Sequence, residues 1–183
     1  MDEAARVHRA SFDHALPWLV GLHTPEEDRW FYRERMFATC EIWGTFDSEV
    51  MTGLIAFREG WIDQLYVLPR AQGRGAGSTL LEIAQRTFDR LQLWTFQRNE
   101  AARRFYEQRG FALVRETDGS ANEEKEPDAL YLWTSLDMRL RCRTERPHST
   151  LYHRPRRGAA QLVAVDSMSQ RPGNSAAKAT RWV

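Results

Sequence analysis

The sequence predicts an α/β (α+β) fold in which a mixed, mostly antiparallel sheet is flanked by helices. The first observation is that helical and strand-like periodicities alternate along the chain as far as residue 138. The second is a strand-like run that ends at Pro69 and passes through three glycines directly into a helical pattern. The third is the length of 183 residues, which suits one domain with a substantial core.

Two helices come first. Residues 2–16 carry apolar side chains at helical spacing. A second helix is expected over residues 24–37, where Thr24 stands directly before Pro25 and three positions before Glu27. A threonine cap, a proline at the first helical position and a glutamate at the third are typical of a helix start.

Strands and helices alternate after that point. Apolar runs of strand character predict six strands, and a helix follows the third and the fourth of them. Asn99 is a suitable cap for the second of these helices, and Gly110 is suited to end it. The strands are expected over residues 38–47, 51–60, 61–69, 91–96, 111–118 and 128–136, and the helices over residues 75–90 and 99–109.

Three glycines stand at alternate positions where the first of these helices begins, at Gly73, Gly75 and Gly77. Glycine accepts positive φ and lets a ligand approach the backbone, and the first turn of a helix offers unpaired N–H groups to a phosphate. A P-loop would need a lysine before Thr79, and the dinucleotide fingerprint would need a glycine at Ser78. The loop therefore predicts a pyrophosphate cradle of another kind.

The pattern that fits is Q-x-x-G-x-G, from Gln72 to Gly77, after a strand that ends in YVLP. It resembles the acyl-CoA site of the GNAT superfamily of N-acetyltransferases. A second segment, residues 93–114, resembles the other half of that site, N-x-x-A-x-x-[FLY]-Y-[E]-x-x-G-F, in the family's order. The matching residues are Asn99, Ala102, Phe105, Tyr106, Glu107, Gly110 and Phe111.

The resemblance implies an N-acetyltransferase that uses acetyl-CoA as cosubstrate and a primary amine as acceptor. The order of elements is similar to that of the GNAT fold without its first strand, which has no counterpart before residues 2–16. The residues expected to bind the cosubstrate are Leu65, Tyr66, Val67, Gln72, Gly73, Arg74, Gly75, Ala76, Gly77, Ser78, Asn99, Ala102 and Tyr106.

The resemblance also implies how the thioester is held. In the family the pantetheine pairs like an extra strand with the strand before the glycine loop, and a kink frees a backbone N–H for the thioester oxygen. Here the Val67 N–H is the expected donor. Tyr106 is the predicted proton donor to the thiolate, because its reference pKa of ~10 exceeds the ~8.5 of a thiol. A core aromatic is the alternative for Tyr106, although Phe105 fills that role better.

The general base is predicted to be Asp63. Period-two alternation places it on the strand face that carries Leu65 and Val67, beside the thioester. An ordered structural carboxylate, or a base that acts only through a water molecule, are the alternatives for this residue. Three other residues compete for the role, namely Glu41, Glu27 and His23, the last with a reference pKa of ~6.5.

Acidic residues cluster at 26–28 and 123–128, in segments that can border the acceptor cleft of this fold. Trp30, Trp94 and Phe96 add aromatic rings. An acidic, aromatic cleft favours a cationic amine through long-range attraction and cation–π contact. The alternative is that these acidic clusters are only solvated loop surfaces, above all residues 123–128. A small amine, an antibiotic and a peptide N-terminus all stay open as acceptors.

The last part of the chain differs in composition. Residues 139–183 carry ten arginine and lysine residues against two acids, Glu145 and Asp166, and end in a Ser/Ala/Gly-rich stretch. We therefore predict a GNAT domain over residues 1–138 and a basic, largely disordered tail over residues 139–183. Nucleic-acid binding through the tail is one alternative function, although no base-reading motif supports it. Acyl-CoA binding without transfer is the other.

The remaining features bear on location and partners. No apolar run approaches the ~18 residues of a membrane helix, and the start MDEAARVHRAS lacks the pattern of a signal peptide. Cys40 and Cys142 are too few for a disulfide framework and have no metal-ligand partners at useful spacing. The sequence predicts a cytoplasmic, metal-free protein without membrane contact, and leaves a homodimer open.

Overall fold

A computed structural model describes residues 2–136 and 162–164 of the chain. Two helical segments precede the sheet, as predicted. Helix α1 spans Asp2–Ala15 and is followed by a 3-10 turn at Pro17–Leu19. The second segment is α2, Pro25–Trp30, which continues through a π-helical stretch, Phe31–Met36, into α3, Phe37–Thr39. The Thr24 side chain and the Glu27 carboxylate bond each other's backbone N–H groups, which forms the expected capping box.

The six predicted strands and the two later helices are all present. The strands are β1, Glu41–Asp47, β2, Val50–Arg58, β3, Trp61–Val67, β4, Arg90–Phe96, β5, Ala112–Thr117, and β6, Asp128–Thr134. The helices are α4, Ala76–Thr87, and α5, Glu100–Glu107, with a 3-10 turn at Pro69–Ala71 before α4. Helix α4 ends earlier than predicted, because Phe88 is already extended and leads into β4.

A seventh strand comes from the end of the sequence. The sheet order is β5-β6-β4-β3-β2-β1-β7, and β7 is Leu162–Ala164, which pairs antiparallel with β1. All pairings are antiparallel except that of β3 with β4. Apart from β7, the predicted tail and the predicted boundary at residue 138 lie outside the described residues.

The two faces of the sheet carry separate cores. Along β2, Ile55 and Phe57 belong to the core that includes Leu80 and Leu81 of α4. Their neighbours in β2 point to the opposite face and pack with residues of α1 and of the α2 segment. Helices α4 and α5 therefore cover one face and α1 and α2 the other.

Within residues 2–136 and 162–164, no helix has the length and apolar character needed to cross a membrane.

Candidate active site

The sheet opens between its two parallel strands. Strands β3 and β4 share one paired position, Trp61 opposite Gln92, where the Gln92 N–H donates to the Gly60 carbonyl (2.8 Å). Beyond that point the strands diverge and line a cleft of about 660 Å³. Because residues of α1 line it as well as residues of α4 and α5, the cleft passes through the sheet from one face to the other.

One edge of β3 faces this cleft with its backbone. The Leu68 N–H donates to the Thr52 carbonyl (2.8 Å), and Val67 lies opposite Gly53 in the register with β2. Hydrogen-bonded and non-hydrogen-bonded pairs alternate in an antiparallel ladder, so the N–H groups of Leu65 and Val67 point away from β2. Gln72 Nε2 donates to the Val67 carbonyl (3.0 Å). The predicted Val67 donor therefore lies on the cleft edge, and its contact with a thioester oxygen stays a prediction.

A β-bulge changes the position predicted for Asp63. The register of β2 with β3 shifts between Ala56 and Phe57, so that Ile62 takes the place that simple alternation gives to Asp63. Ile62, Leu65 and Val67 belong to one core. The expectation that Asp63 shares their face is wrong, because period-two alternation does not continue through a bulge.

The Asp63 carboxylate lines the cleft but is already bonded within the protein. Arg58 holds it through two nitrogens, with Nε–Oδ2 and Nη2–Oδ1 distances of 2.9 and 3.1 Å. Cys40 Sγ donates to Oδ2 at 3.6 Å. Burial and the nearby Asp63 charge raise the pKa of the Cys40 thiol to about 12, so it remains a neutral donor. These bonds support the structural alternative that the sequence left open for this residue.

The glycine loop has the shape of an anion cradle. Gly73 and Gly75 have φ of +72° and +89°, and no atom lies within 4 Å of where a Cβ would be at either position. Gly75 precedes α4 and provides no side-chain cap, so the first N–H groups of the helix, those of Ala76, Gly77 and Ser78, stay available. Gly77 packs closely on Phe105, where a Cβ would come within 3.3 Å of the ring. The residues present therefore fit a pyrophosphate group.

Arg109, which no motif of the sequence singled out, adds a positive charge to this cradle. Its guanidinium donates to Ser78 Oγ (2.6 Å) and lies over the Phe105 ring, 3.7 Å from the centroid. Arg109 thus connects the end of α5 to the first turn of α4. Its spacing in the sequence carried no signal, because only the packing of the two helices brings it to Ser78.

Helix α5 positions the remaining predicted residues. Asn99 Oδ1 accepts the Ala102 N–H (3.1 Å), which confirms Asn99 as the cap of this helix, and both residues line the cleft. The Tyr106 ring is 8% exposed and packs edge-on against Phe105 and Phe111. Burial raises the pKa of Tyr106, so its hydroxyl keeps its proton. Tyr106 therefore belongs to the core and to the cleft wall at once.

The other candidates for the base lie elsewhere. Glu27 caps α2 in an exposed position, and its bonds to Thr24 lower the pKa of its carboxyl. Glu41 is exposed at the start of β1 and accepts the Trp43 indole N–H (2.6 Å). Neither residue lines the cleft, and nor does His23.

The opposite end of the cleft is built by α1 and by Tyr66. Ser11 and Phe12 line it from the helix, Leu16 lines it directly after the helix, and Tyr66 lines it from β3. Ser11 is 4% exposed, and within the described part of the chain its Oγ has no hydrogen-bond partner. One turn earlier in α1, the ring of His8 lies 4.6 Å from that of Tyr66, centroid to centroid. This side of the cleft is therefore a buried wall that mixes apolar and polar groups.

His8 should make the stability of the fold depend on pH. Burial lowers the pKa of His8 from 6.5 to about 4, against the opposing effect of Asp28. Between these values the unfolded chain binds a proton that the native chain does not, so stability should rise with pH from about 4 to 6.5 and then level off. The rise should reach up to about 3 kcal/mol.

This prediction is checked by urea unfolding at about pH 4 and about pH 7, which enclose the window of about 4 to 6.5. In His8→Gln the free energy of unfolding should depend much less on pH. In His14→Gln, which replaces an exposed histidine of the same helix, its pH dependence should be that of the wild type. An unchanged slope in His8→Gln would show that another group controls acid unfolding.

The opened sheet and the uncapped start of α4 fit an elongated, phosphate-bearing ligand that lies across the sheet. The chain belongs to the GNAT acetyltransferase family, whose sequence model, described as Acetyltransferase (GNAT) family, matches residues 5–111. This membership confirms the resemblance, the fold class and acetyl-CoA as cosubstrate.

Individual relatives support the family and the fold. The chain is 29% identical over 83 residues to the peptidyl-lysine N-acetyltransferase YiaC of Escherichia coli (strain K12), a match that covers 45% of this chain and 57% of that protein. The chain thus spans just over half the length of this relative. The structure is similar to apo YjaB of Escherichia coli, with a TM-score of 0.61 and 18% identity over 73% of this chain and 90% of that one.

A second solved structure has a similar fold. It is the PaiA N-acetyltransferase of Thermoplasma acidophilum in complex with coenzyme A, with a TM-score of 0.51 and 20% identity. The similarity covers 73% of this chain and 91% of that one. At these identities the two structures show that the fold is shared.

Proposed function

We propose that this protein is an N-acetyltransferase that moves the acetyl group of acetyl-CoA to a primary amine by direct attack of the amine on the thioester. The observation that carries the proposal is the cleft through the sheet. It connects a phosphate cradle on the α4 side to a polar and aromatic wall on the α1 side. Two substrates that enter from opposite faces would meet beside the free edge of β3.

The acetyl-CoA side uses backbone groups above all. The N–H groups at the start of α4 would bind the pyrophosphate, with Arg74 and Arg109 as nearby positive charges. The cleft edge of β3, at Leu65 and Val67, offers an extended backbone with which the pantetheine amides can pair. The Val67 N–H is then placed to stabilise the negative charge that develops on the thioester oxygen.

Tyr106 is proposed as the acid for the leaving thiolate. Its hydroxyl is protonated at neutral pH and borders the cleft beside the cradle. Among the described residues, none forms a hydrogen bond with the Tyr106 hydroxyl, so this hydroxyl can donate its proton to sulfur. Asp63 stays a predicted base, although its bonds to Arg58 and Cys40 favour a role in holding the bulge of β3.

The acceptor we propose is a lysine side chain of a peptide. The name of the relative YiaC gives this acceptor class for that protein. In this chain Phe12, Leu16 and Phe96 form an apolar cluster beside the α1 end of the cleft, which suits the methylene stem of a lysine.

The test is a two-substrate assay on the full chain. Acetyl-CoA is mixed with a lysine-containing peptide blocked at its N-terminus, and free thiol and peptide mass are followed together. We expect thiol release matched by the mass of one acetyl group on the peptide. Tight acetyl-CoA binding with no thiol release toward any amine would instead favour the alternative of an acyl-CoA-binding protein without transfer.

A further inference from the structure

Arg98 stands on the rim of the cleft, on its α1 side. It follows the end of β4 and lines the cleft, and its side chain is 58% exposed. Its guanidinium lies over the ring of Trp18, 4.0 Å from the centroid. Trp18 belongs to the 3-10 turn that follows α1, so this contact places the Arg98 side chain beside the helix that builds the α1 end of the cleft.

The orientation of this guanidinium is fixed on two sides. One face rests on Trp18, and Nη1 lies 3.5 Å from Glu126 Oε1, in the loop between β5 and β6. Glu126 is itself held in place, because its N–H donates to Asn122 Oδ1 (3.2 Å) and its carbonyl accepts from Asn122 Nδ2 (2.7 Å). The Arg98 side chain is therefore ordered in advance, which lowers the entropy cost of binding a ligand.

The loop that carries Glu126 is anchored to the end of β4. The Gln97 N–H donates to the Pro127 carbonyl (2.8 Å), and Gln97 Nε2 donates to the Thr117 carbonyl (2.8 Å). Because Gln97 directly precedes Arg98, these bonds fix the loop beside the guanidinium. Two separate segments, this loop and the turn after α1, thus hold the side chain on the rim.

The hydrogen-bond donors of Arg98 are unused. Among the described residues, none accepts a hydrogen bond from its guanidinium, and its contact with Glu126 is an ion pair only. A guanidinium carries its N–H donors in a planar fork that matches the oxygens of a carboxylate. A stacked arginine whose donors have no acceptor is therefore suited to bind a carboxylate that a ligand supplies.

The position of Arg98 decides which substrate brings that carboxylate. The phosphates of acetyl-CoA are proposed to bind at the start of α4, with Arg74 and Arg109 nearby. Arg98 instead stacks on the turn after α1, on the side from which the acceptor is proposed to enter. Among the described residues that line the cleft, Arg98 is the sole arginine or lysine. An acceptor that carries a carboxylate therefore finds its cationic partner there.

We propose that Arg98 is a specificity residue of the acceptor site, which binds a carboxylate that the acceptor carries close to its amine. The inference rests on the proposed function and deepens it, because it names the substrate class. That class is lysine peptides with a carboxylate near the lysine, either on a neighbouring side chain or at the C-terminus. The carboxylate accepts parallel hydrogen bonds from Arg98 at the rim, while the lysine side chain extends into the cleft.

The inference is tested with two pairs of acceptors, one for each source of the carboxylate. The first pair is a blocked peptide with glutamate on both sides of its lysine and the same peptide with glutamine there. The second pair is Nα-acetyl-lysine and its amide. In the wild type we expect kcat/KM to be about 10-fold higher for the glutamate peptide, because a charged pair is stronger than a contact with a neutral amide. A preference for Nα-acetyl-lysine over its amide would instead assign the site to a C-terminal carboxylate, which also supports the inference.

Variants of Arg98 show whether this residue causes the preference. Arg98→Gln should reduce the ratio of kcat/KM within a pair to about 1, and Arg98→Glu should reverse the preference. The ratio compares two acceptors on the same protein, so a general loss of activity or of folded protein does not change it. Equal kcat/KM values within both pairs, or a preference that Arg98→Gln leaves unchanged, would overturn the inference.

Arg90→Gln is the matched control. Arg90 begins β4 and Arg98 follows the other end of that strand, and both residues are exposed. Each substitution to glutamine removes one positive charge from the protein, so a long-range electrostatic effect would appear in both variants. We expect Arg90→Gln to keep the wild-type ratio. An equal fall in Arg90→Gln and Arg98→Gln would overturn the inference.

A calorimetric titration excludes the cosubstrate as the source of the anion. The Kd for acetyl-CoA should differ by less than about 2-fold between the wild type and Arg98→Gln, because a 2-fold change is well under 1.4 kcal/mol. A rise of about 10-fold in that Kd, with the acceptor preference unchanged, would assign Arg98 to the phosphates of acetyl-CoA and overturn the inference.

The inference can be judged even if the proposed function fails. That failure would appear as a wild-type protein that acetylates no amine. Binding of both pairs of acceptors is then measured in the presence of CoA. Tighter binding of the carboxylate-bearing member that Arg98→Gln abolishes supports the inference, and equal binding within both pairs overturns it.

Discussion

Replacing Gly75 with tryptophan should abolish acetyl-CoA binding while the protein stays folded. The backbone at Gly75 has φ of +89°, and the space beside it is open to solvent rather than filled by protein. An indole in that space would occupy the position of the pyrophosphate and block the first N–H groups of α4. We expect the Kd for acetyl-CoA to rise by at least about 100-fold, which is about 2.7 kcal/mol. Calorimetric titration of acetyl-CoA measures this directly.

Gly60 offers a matched control. It has φ of +75° and equally open surroundings, but it lies in the turn between β2 and β3 and not at the start of α4. Gly60→Trp therefore imposes the same backbone strain and adds the same ring without touching the cradle. Loss of binding in both variants would attribute the effect to destabilisation, and binding in Gly75→Trp would remove the loop from the cosubstrate site.

Replacing Tyr106 with phenylalanine should leave acetyl-CoA binding intact and lower kcat by about 100-fold. The ring packs between Phe105 and Phe111, so phenylalanine keeps the packing and removes only the hydroxyl. Without that proton the thiolate must leave as an anion. The measurement is kcat by thiol release, together with the Kd for acetyl-CoA.

Tyr32→Phe is the matched control, because it also removes one tyrosine hydroxyl but at a position outside the cleft. Tyr32 is fully buried in the core beside α1, does not line the cleft, and has a hydroxyl without a hydrogen-bond partner among the described residues. Its loss should leave kcat unchanged and should not lower stability, because an unsatisfied buried hydroxyl is costly. Full turnover by Tyr106→Phe would exclude Tyr106 as the acid.

The elements of the fold were predictable because each has a local signal. The capping box at Thr24 and the cap at Asn99 mark helix starts, and the glycines before α4 mark a backbone that must accept positive φ. Those signals depend on neighbouring residues alone. They also carry the prediction for the cosubstrate side of the site, since the groups proposed to bind acetyl-CoA are mainly backbone groups in two continuous segments.

The bulge of β3 and the packing of the loop before β6 could not be predicted in the same way. The bulge at Asp63 depends on the register with β2, which a strand's own sequence does not reveal. The burial of Glu124 depends on how a loop packs against the end of β4, and its neighbours Glu123 and Lys125 are exposed. Residues that meet only through tertiary packing leave no periodic pattern, so the acidic run at 123–128 gave no reason to single out one member.

The strand β7 has a consequence for how the protein is made. Strand β1 pairs on its outer side with Leu162–Ala164, which leaves the ribosome long after β1 itself. Until then the outer backbone groups of β1 stay open during synthesis, and open strand edges are where nascent chains associate wrongly. The rest of the sheet can form from earlier segments, so closing this edge becomes a late step of folding that waits for the synthesis of residues 162–164.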